Sequence, residues 1–410
     1  MKRVALLLMA LVSIAVGYRL WSPEQGYQWQ LPRNIPPPSV PADNPMSVNK
    51  IELGRQLFYD VRLSINESTA CATCHRQALA FTDGRPRAVG ATGEVHSKNT
   101  MSLVNVAYNS RLTWANHLLD RLEVQALVPM FGVNPIEMGL GGKEGEVVDL
   151  LRSDSEYAKL LPLAFPDDED PFSALNVVRA IASFVRSIIA FDSPYDRFLS
   201  GDESAMSASA QRGMSLFFSE SLECFHCHGG FNFTDSSTHA NTTIDSAGFH
   251  NTGLYSLDID GAYPEDNRGL IELTGERRDM GRFRAPGLRN IAETAPYMHD
   301  GSIATLNAVI DHYAAGGREI SAGPLAGDGS RNPYKSVFIR EFELSNTQKE
   351  DLIAFLRALS DESVMSDPAF SDPFSPSAQQ AKISRDFSFP MDSEIRPFPG
   401  NETQQEKDVH

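Results

Sequence analysis

The sequence predicts a mainly α-helical protein made of two similar units in tandem, with long loops between their helices. A five-residue motif, C-x-x-C-H, occurs at residues 71–75 and again at residues 224–228. Each copy follows a G-x-x-L-F segment, residues 54–58 and 213–217, near the end of a predicted helix. A repeat of this kind indicates a duplicated structural unit, and 410 residues suffice for two or three compact domains.

The chain begins with a segment typical of export. Lys2 and Arg3 precede an apolar run over residues 4–16 that is interrupted by Ser13. The run is shorter than the ~20 residues that cross a bilayer, which favours a signal peptide over residues 1–22. Because no small-residue cleavage site follows, an uncleaved N-terminal anchor is the alternative. Both alternatives predict a periplasmic protein.

All four Cys lie in the two C-x-x-C-H motifs. Four Cys in an exported protein would ordinarily form two disulfides, and C-x-x-C pairs also occur in redox and zinc sites. Two complete motifs with no Cys left over instead indicate two covalent c-type haems, because such thiols reach the two vinyl groups of one porphyrin and the adjacent His reaches the iron. The predicted attachment residues and iron ligands are Cys71, Cys74, His75, Cys224, Cys227 and His228.

Each unit is predicted to close with an amphipathic helix. Ser173 is positioned to cap a helix whose apolar stripe covers residues 177–188. In the second unit, Thr347 and Glu350 match a capping box ahead of an apolar stripe over residues 352–359. A helix before the haem motif that packs near a helix at the end of the unit is the arrangement of a cytochrome c domain, so we predict two cytochrome c-like haem domains with long loops.

Predicted boundaries follow from these patterns. A Pro-rich lead-in covers residues 23–45, the first haem domain residues 46–200, the second residues 201–362, and a polar tail residues 363–410. The formal charge of -17 argues against nucleic acid or an anionic membrane surface as a partner.

The second axial position of each iron decides between electron transfer and chemistry. In the first unit no Met or His stands out as a ligand, but residues 125–129 are followed by a segment, residues 134–139, that contains Glu137. A Glu above an open ferric haem can move a proton between the two oxygens of peroxide by general acid–base catalysis. Taken alone, Glu137 would be a solvated loop carboxylate.

The motifs together resemble the bacterial di-haem cytochrome c peroxidase and MauG superfamily, most closely its methanobactin-associated branch (MbnH). The resemblance covers nearly all of the mature chain. The matching segments are residues 71–75, 80–83, 99–100, 125–139, 224–228, 249–255, 279–283, 285–290 and 295–301.

In this superfamily the second iron takes a Met in the peroxidases and a Tyr in the MauG-like enzymes. Tyr313 occupies the matching position here, at the end of a predicted helix over residues 305–313. A phenolate is a hard donor that favours higher-valent iron, so this ligand favours an enzyme that stores oxidising equivalents. The alternative ligands are Met298, His299 and His312, and Tyr313 would then be a packing residue.

The resemblance also implies roles for the residues around each iron. His75 would bind the peroxide-reactive iron, with Glu137 as its distal acid–base group and with Gln125 and Pro129 lining the pocket. Trp114 would be the electronic bridge between the haems, although it lies one residue further from the Gln than is usual in the family, and a simple core Trp is the alternative.

A calcium ion between the haems is implied in the same way. The matching ligands are the side chain of Asn99 and the backbone carbonyls of Arg284 and Pro286. Calcium accepts such neutral oxygens and completes its coordination with water.

The activity that the resemblance implies is that of a peroxidase-like oxidoreductase. Hydrogen peroxide would form a high-valent di-haem state that removes electrons from a partner protein, an MbnP-type copper-binding protein whose Trp becomes kynurenine. One alternative is a cytochrome c peroxidase that draws electrons from a small redox protein. The other, from a different class, is a di-haem electron carrier without catalysis, which would need no open site beside Glu137.

Overall fold

The computed structural model describes residues 27–244 and 246–376 and is rich in helix and poor in sheet, which confirms the mainly α fold class. The predicted signal or anchor segment, residues 1–22, lies outside the described residues. Within the described part of the chain, no helix combines the length and the apolar character that a membrane span requires. From residue 27 onwards, the predicted lead-in contains neither helix nor strand.

The regular elements are mostly short helices joined by loops. The α-helices of the described residues are α1 Val48–Tyr59, α2 Cys71–Cys74, α3 Leu122–Phe131, α4 Glu144–Ser153, α5 Tyr157–Ala164, α6 Ala174–Ser187, α7 Pro194–Leu199, α8 Ala208–Phe217, α9 Cys224–Cys227, α10 Ile271–Thr274, α11 Leu306–Ala314 and α12 Asn346–Arg357. Two antiparallel two-stranded ribbons pair β1 Phe249–His250 with β2 Phe283–Arg284, and β3 Glu319–Ile320 with β4 Gly327–Asp328.

Helices α1 and α6 organise the N-terminal half. The hydroxyls of Ser47 and Ser173 cap these helices, the second as predicted. The helices cross at Gly54, where a Cβ atom would lie 1.9 Å from the carbonyl oxygen of Ala180. Only a residue without a side chain allows the two backbones to approach so closely, which explains why the first G-x-x-L-F segment begins with Gly.

The C-terminal half repeats this crossing with α8 and α12. A Cβ atom on Gly213 would lie 1.9 Å from the carbonyl oxygen of Asp351. In each crossing, the added Cβ atom would also lie 2.9 Å from the Cβ of a Phe four residues after the carbonyl residue. This Phe is Phe184 after Ala180 in the first crossing and Phe355 after Asp351 in the second. The matching geometry shows that each G-x-x-L-F segment makes the same kind of helix crossing.

Buried hydrophobic residues of the described chain form separate clusters. One surrounds α1 and α6, and a second surrounds α8 and α12. A third cluster contains Ala115, Leu254, Tyr255, Tyr263, Phe283, Tyr297 and Ile303. All of them belong to the compact unit that ends at Ser371.

The predicted capping box of α12 is wrong. The hydroxyl of Ser345 accepts from the Gln348 amide at 3.2 Å, and the Gln348 side chain accepts from the Ser345 amide at 2.9 Å. The helix therefore begins before Thr347, and both Thr347 and Glu350 lie inside it. S-x-x-Q and T-x-x-E satisfy the same capping rule, so the backbone path decides between them.

The start of the predicted polar tail is packed. Val364 is only 1% exposed and belongs to the N-terminal cluster. The Tyr59 hydroxyl donates to the carbonyl of Phe370 at 2.7 Å. Residues 363–371 therefore extend the N-terminal core and are not a solvated arm.

Candidate di-haem active site

The first C-x-x-C-H motif forms a single helical turn, α2. The Thr73 hydroxyl accepts from the Ala70 amide at 3.0 Å and holds the start of the turn. His75 follows directly, and its Nδ1 lies 2.9 Å from the carbonyl oxygen of Phe81. Because a ring nitrogen that meets a carbonyl must carry the proton, Nε2 is left unprotonated as the ligand atom for iron.

The second motif repeats this arrangement in α9. The Nδ1 atom of His228 lies 3.1 Å from the carbonyl oxygen of Phe233. Phe81 and Phe233 have φ angles of 61° and 52°, in the left-handed region that non-Gly residues seldom adopt. Burial lowers the pKa of both His75 and His228, so both rings are neutral at pH 7 and able to bind a metal.

A large cavity adjoins the second motif. Its empty volume is about 1910 Å³, a figure that includes its opening to solvent. Cys224, Cys227, His228 and Tyr313 are among its lining residues. The four Cys of the chain form no disulfide. Paired free thiols, an oriented neutral His and a cavity of this size fit a c-type haem.

Glu137 lies in the loop between α3 and α4, beside the first motif. This loop folds back onto α3 because the Met138 amide donates to the Pro129 carbonyl at 2.9 Å. Burial raises the pKa of Glu137 to about 7. Burial is the main cause that raises the thiol pKa of Cys71 and Cys74, and the charge of Glu137 contributes to both shifts. A group that titrates near neutrality can both accept and donate a proton.

Gln125 and Pro129 lie one turn apart on α3 and share a face of the helix. The Oε1 atom of Gln125 is buried and has no hydrogen-bond partner among the described residues. An unpaired buried amide oxygen is costly, so this atom indicates a bound group that completes its hydrogen bonding. Glu123 and Arg186, joined at 2.7 Å and both buried, anchor the start of the same helix.

Three of the four candidate second ligands meet at the large cavity. Tyr313, Met298 and His299 line it, whereas His312 is buried outside its lining. Burial raises the pKa of Tyr313, and the two thiols of the second motif add to this effect. Of the two other candidates in the lining, His299 is held in a stack with a Phe ring. The identity of the ligand stays a prediction, with Tyr313 in a position to serve.

The predicted bridge and the predicted calcium ligands come together on one wall of this cavity. The indole Nε1 of Trp114 donates to the Asn99 carbonyl at 2.8 Å. The amide of Arg284 donates to the Trp114 carbonyl at 2.7 Å. The Asn99 side-chain amide donates to the Arg85 carbonyl at 2.8 Å. Trp114, Asn99, Arg284 and Pro286 are therefore neighbours, and calcium itself stays a prediction.

A carboxylate–imidazole pair beside the second motif was not predicted. The Nε2 atom of His250 lies 2.6 Å from a carboxylate oxygen of Asp235. Burial acts to lower the pKa of His250, but the Asp235 carboxylate and the Cys227 thiol outweigh it and raise the pKa to about 10. The Asp235 carboxylate therefore favours the cationic form of the His250 ring. Its F-H-N-T-G segment is visible in the sequence, but the distant partner that charges the ring is not.

Comparisons with known proteins identify the family of this chain. A family model described as di-haem cytochrome c peroxidase matches residues 48–204. The methylamine utilization protein MauG of Methylorubrum extorquens is 33% identical over 335 residues, which cover 82% of this chain and 84% of that protein. Cytochrome-c peroxidase IdrP1 of Pseudomonas sp. (strain SCT) is 34% identical over 353 residues, covering 82% and 86%. The chain therefore belongs to the di-haem cytochrome c peroxidase and MauG family.

Within that family, the chain is similar to a MauG-like protein associated with microbial copper homeostasis. The crystal structure of that protein shares 49% sequence identity and a TM-score of 0.83, and the match covers 85% of this chain and 100% of the other. Members of the family are di-haem peroxidases and MauG oxidoreductases, and membership implies two c-type haems.

Proposed function

We propose that this protein is a periplasmic enzyme that uses hydrogen peroxide to oxidise a partner protein, and that its halves are tandem cytochrome c-like domains. When bound, the two haems supply the reaction with peroxide and hold its oxidising equivalents. The observation that carries the proposal is that Tyr313 lines the same cavity as Cys224, Cys227 and His228. A Tyr ligand suits storage of oxidising equivalents, whereas a Met ligand suits electron uptake from a carrier.

Glu137 acts on peroxide in the first domain. Its carboxylate accepts a proton from one peroxide oxygen and returns it to the departing oxygen, which leaves as water. The pKa of about 7 suits both transfers at neutral pH. The unpaired Oε1 of Gln125 accepts a hydrogen bond from the bound peroxide, and Pro129 closes the pocket without adding a competing donor.

Trp114 connects the two haem sites in this proposal. Its ring packs against the third hydrophobic cluster, and its hydrogen bond to the Asn99 carbonyl fixes the orientation of the indole. A calcium ion bound by Asn99 Oδ1 and by the carbonyls of Arg284 and Pro286 would hold the same wall of the cavity rigid.

The proposed substrate is a Trp of an MbnP-type copper-binding protein, which becomes kynurenine. Its support is the 49% identity to a MauG-like protein associated with copper homeostasis. Because only electrons pass to the haem pair, each peroxide accepts two electrons and two protons and becomes two waters, and water supplies the oxygen atoms of the product. Two molecules of peroxide therefore convert one Trp to N-formylkynurenine and two waters, and hydrolysis then releases formate and kynurenine.

A cytochrome c peroxidase that takes electrons from a small redox protein is the second candidate. Met298 lines the same cavity as Tyr313, and a Met ligand to the second iron would favour this activity. A di-haem electron carrier is the third candidate. The unpaired Gln125 oxygen and the neighbouring Glu137 argue against it, because a carrier needs no polar pocket over its first haem.

The test is to add stoichiometric hydrogen peroxide to the purified diferric protein and to follow optical and Mössbauer spectra. We expect a long-lived state in which both irons are oxidised beyond ferric, and we expect Tyr313→Phe to lose it. Tyr108→Phe is the matched control, since Tyr108 is a buried Tyr whose hydroxyl donates to the Pro36 carbonyl at 2.8 Å. Reaction only after reduction of one haem would instead establish the peroxidase, and no reaction in either state would leave the carrier.

A further inference from the structure

The third hydrophobic cluster extends from the wall of the haem cavity into the protein. Trp114 packs against it, Phe283 is one of its members, and both Phe283 and His299 line the cavity. The rings of Phe283 and His299 are stacked with centroids 3.6 Å apart. The Tyr263 ring lies 6.3 Å from each of them, and the Tyr255 ring lies 5.6 Å beyond Tyr263. Aromatic rings therefore connect the surroundings of Trp114 with Tyr255.

Tyr255 differs from the other Tyr residues of this cluster in the group that accepts the hydrogen bond of its hydroxyl. Its hydroxyl donates to a carboxylate oxygen of Asp300 at 2.6 Å, with both residues buried. The hydroxyl of Tyr263 donates to a side-chain amide oxygen at 2.8 Å, and that of Tyr297 donates to a backbone carbonyl at 3.2 Å. An oxidised phenol is a much stronger acid than a carboxylic acid, so the carboxylate can take the proton whereas an amide oxygen cannot.

A cation next to the ring strengthens this difference. The Arg318 guanidinium lies 4.5 Å from the centroid of the Tyr255 ring and also donates to the Ser302 hydroxyl at 2.9 Å. A guanidinium against an aromatic face is attracted by the neutral ring and repelled by a ring that has become a cation. Oxidation of Tyr255 must therefore be coupled to proton loss, and Asp300 is the acceptor in contact with the hydroxyl.

We infer that Tyr255 is a redox-active residue that receives an oxidising equivalent from the Trp114 side of the cluster and passes it on towards the partner protein. Tyr255 gives one electron to the peroxide-oxidised haem pair, and its phenolic proton moves to Asp300 along the existing hydrogen bond. No other bond forms or breaks. When the partner's side chain supplies an electron, the proton returns from Asp300 and Tyr255 is restored. The inference rests on the proposed function, because hydrogen peroxide is the oxidant.

The experiment uses the full chain with both haems attached, one equivalent of hydrogen peroxide and no partner protein. Freeze-quench EPR should show the signal of a Tyr radical that grows as the optical signature of the oxidised haems decays. The EPR signal should become narrower when the protein contains ring-deuterated Tyr, which assigns it to Tyr. The radical should form more slowly in D₂O, because its formation includes proton transfer. Tyr255→Phe should remove the radical and extend the lifetime of the oxidised haems at least tenfold. Asp300→Asn is a second variant that keeps the Tyr ring, and it should also suppress the radical.

Tyr157→Phe is the matched control. The Tyr157 hydroxyl donates to the Asp60 carboxylate at 2.8 Å, but this pair lies in the N-terminal cluster, away from Trp114. The control should keep both the radical and the lifetime. If Tyr255→Phe kept the radical signal and the lifetime of the oxidised haems unchanged, the inference would be overturned and the proposed function would stand. Absence of any optical change in the unmodified protein would overturn the inference together with the proposed function.

Discussion

Replacement of Glu137 by Gln tests the acid–base role directly. The change keeps the size of the side chain and removes its ability to accept a proton. General acid–base catalysis contributes ~10²–10⁴-fold to a rate, so the reaction of the diferric protein with peroxide should slow by that factor in Glu137→Gln. The haem spectra before peroxide is added should not change, since Glu137 is not an attachment residue or a predicted iron ligand.

The pH dependence provides a sharper test than the rate alone. Burial raises the pKa of Glu137 to about 7, and only the carboxylate form accepts a proton. Below this pKa the neutral acid predominates, so the rate should fall as the pH falls. The carboxylate fraction rises from roughly a tenth at pH 6 to roughly nine tenths at pH 8, which predicts about a tenfold increase in rate for a base with that pKa. Glu137→Gln should be flat over this range.

Stopped-flow absorbance of the haem bands after mixing with peroxide measures both quantities. Glu146→Gln is a suitable control, because Glu146 is a nearby carboxylate that is 70% exposed and pairs with Lys143 at 2.7 Å. It should retain the rate and the pH profile of the unmodified protein. The reasoning would be refuted if Glu137→Gln kept the same apparent pKa, or if its rate fell by less than about threefold against an expected ~10²–10⁴.

Further variants test the fold and the second haem. Gly54→Ala should destabilise the protein by about 1–3 kcal/mol or more in urea unfolding, because its Cβ would meet the Ala180 carbonyl, and an unchanged midpoint would contradict the crossing. Arg186→Ala should cost about 3–5 kcal/mol in the same assay, since it removes the buried cation that pairs with Glu123 at 2.7 Å. Tyr313→Met should raise the reduction potential of one haem in a potentiometric titration. If both haems of the variant kept the potentials of the unmodified protein, Tyr313 would be excluded as a ligand.

The helical turns of the two C-x-x-C-H motifs and the repeated helix crossing were predictable because they depend on short-range spacing. Thiols three positions apart and an adjacent His fit one turn of helix wherever that turn lies. The Gly of each G-x-x-L-F segment marks a close approach of two backbones, although the sequence does not name the partner carbonyls of Ala180 and Asp351. Where two local signals were equivalent, at Ser345 and Thr347, the prediction chose the wrong one.

The sequence by itself therefore determined the mainly α-helical class, the two C-x-x-C-H turns and the duplication that pairs them. The tertiary structure decided which distant groups meet. It placed Tyr313 in the lining of the second-haem cavity and His312 outside it, gave Glu137 a pKa near neutrality through burial, and brought Tyr255 against Asp300. Local spacing is set by bond geometry within one turn, whereas burial and charge pairing depend on contacts between segments far apart in the chain, which no local pattern records.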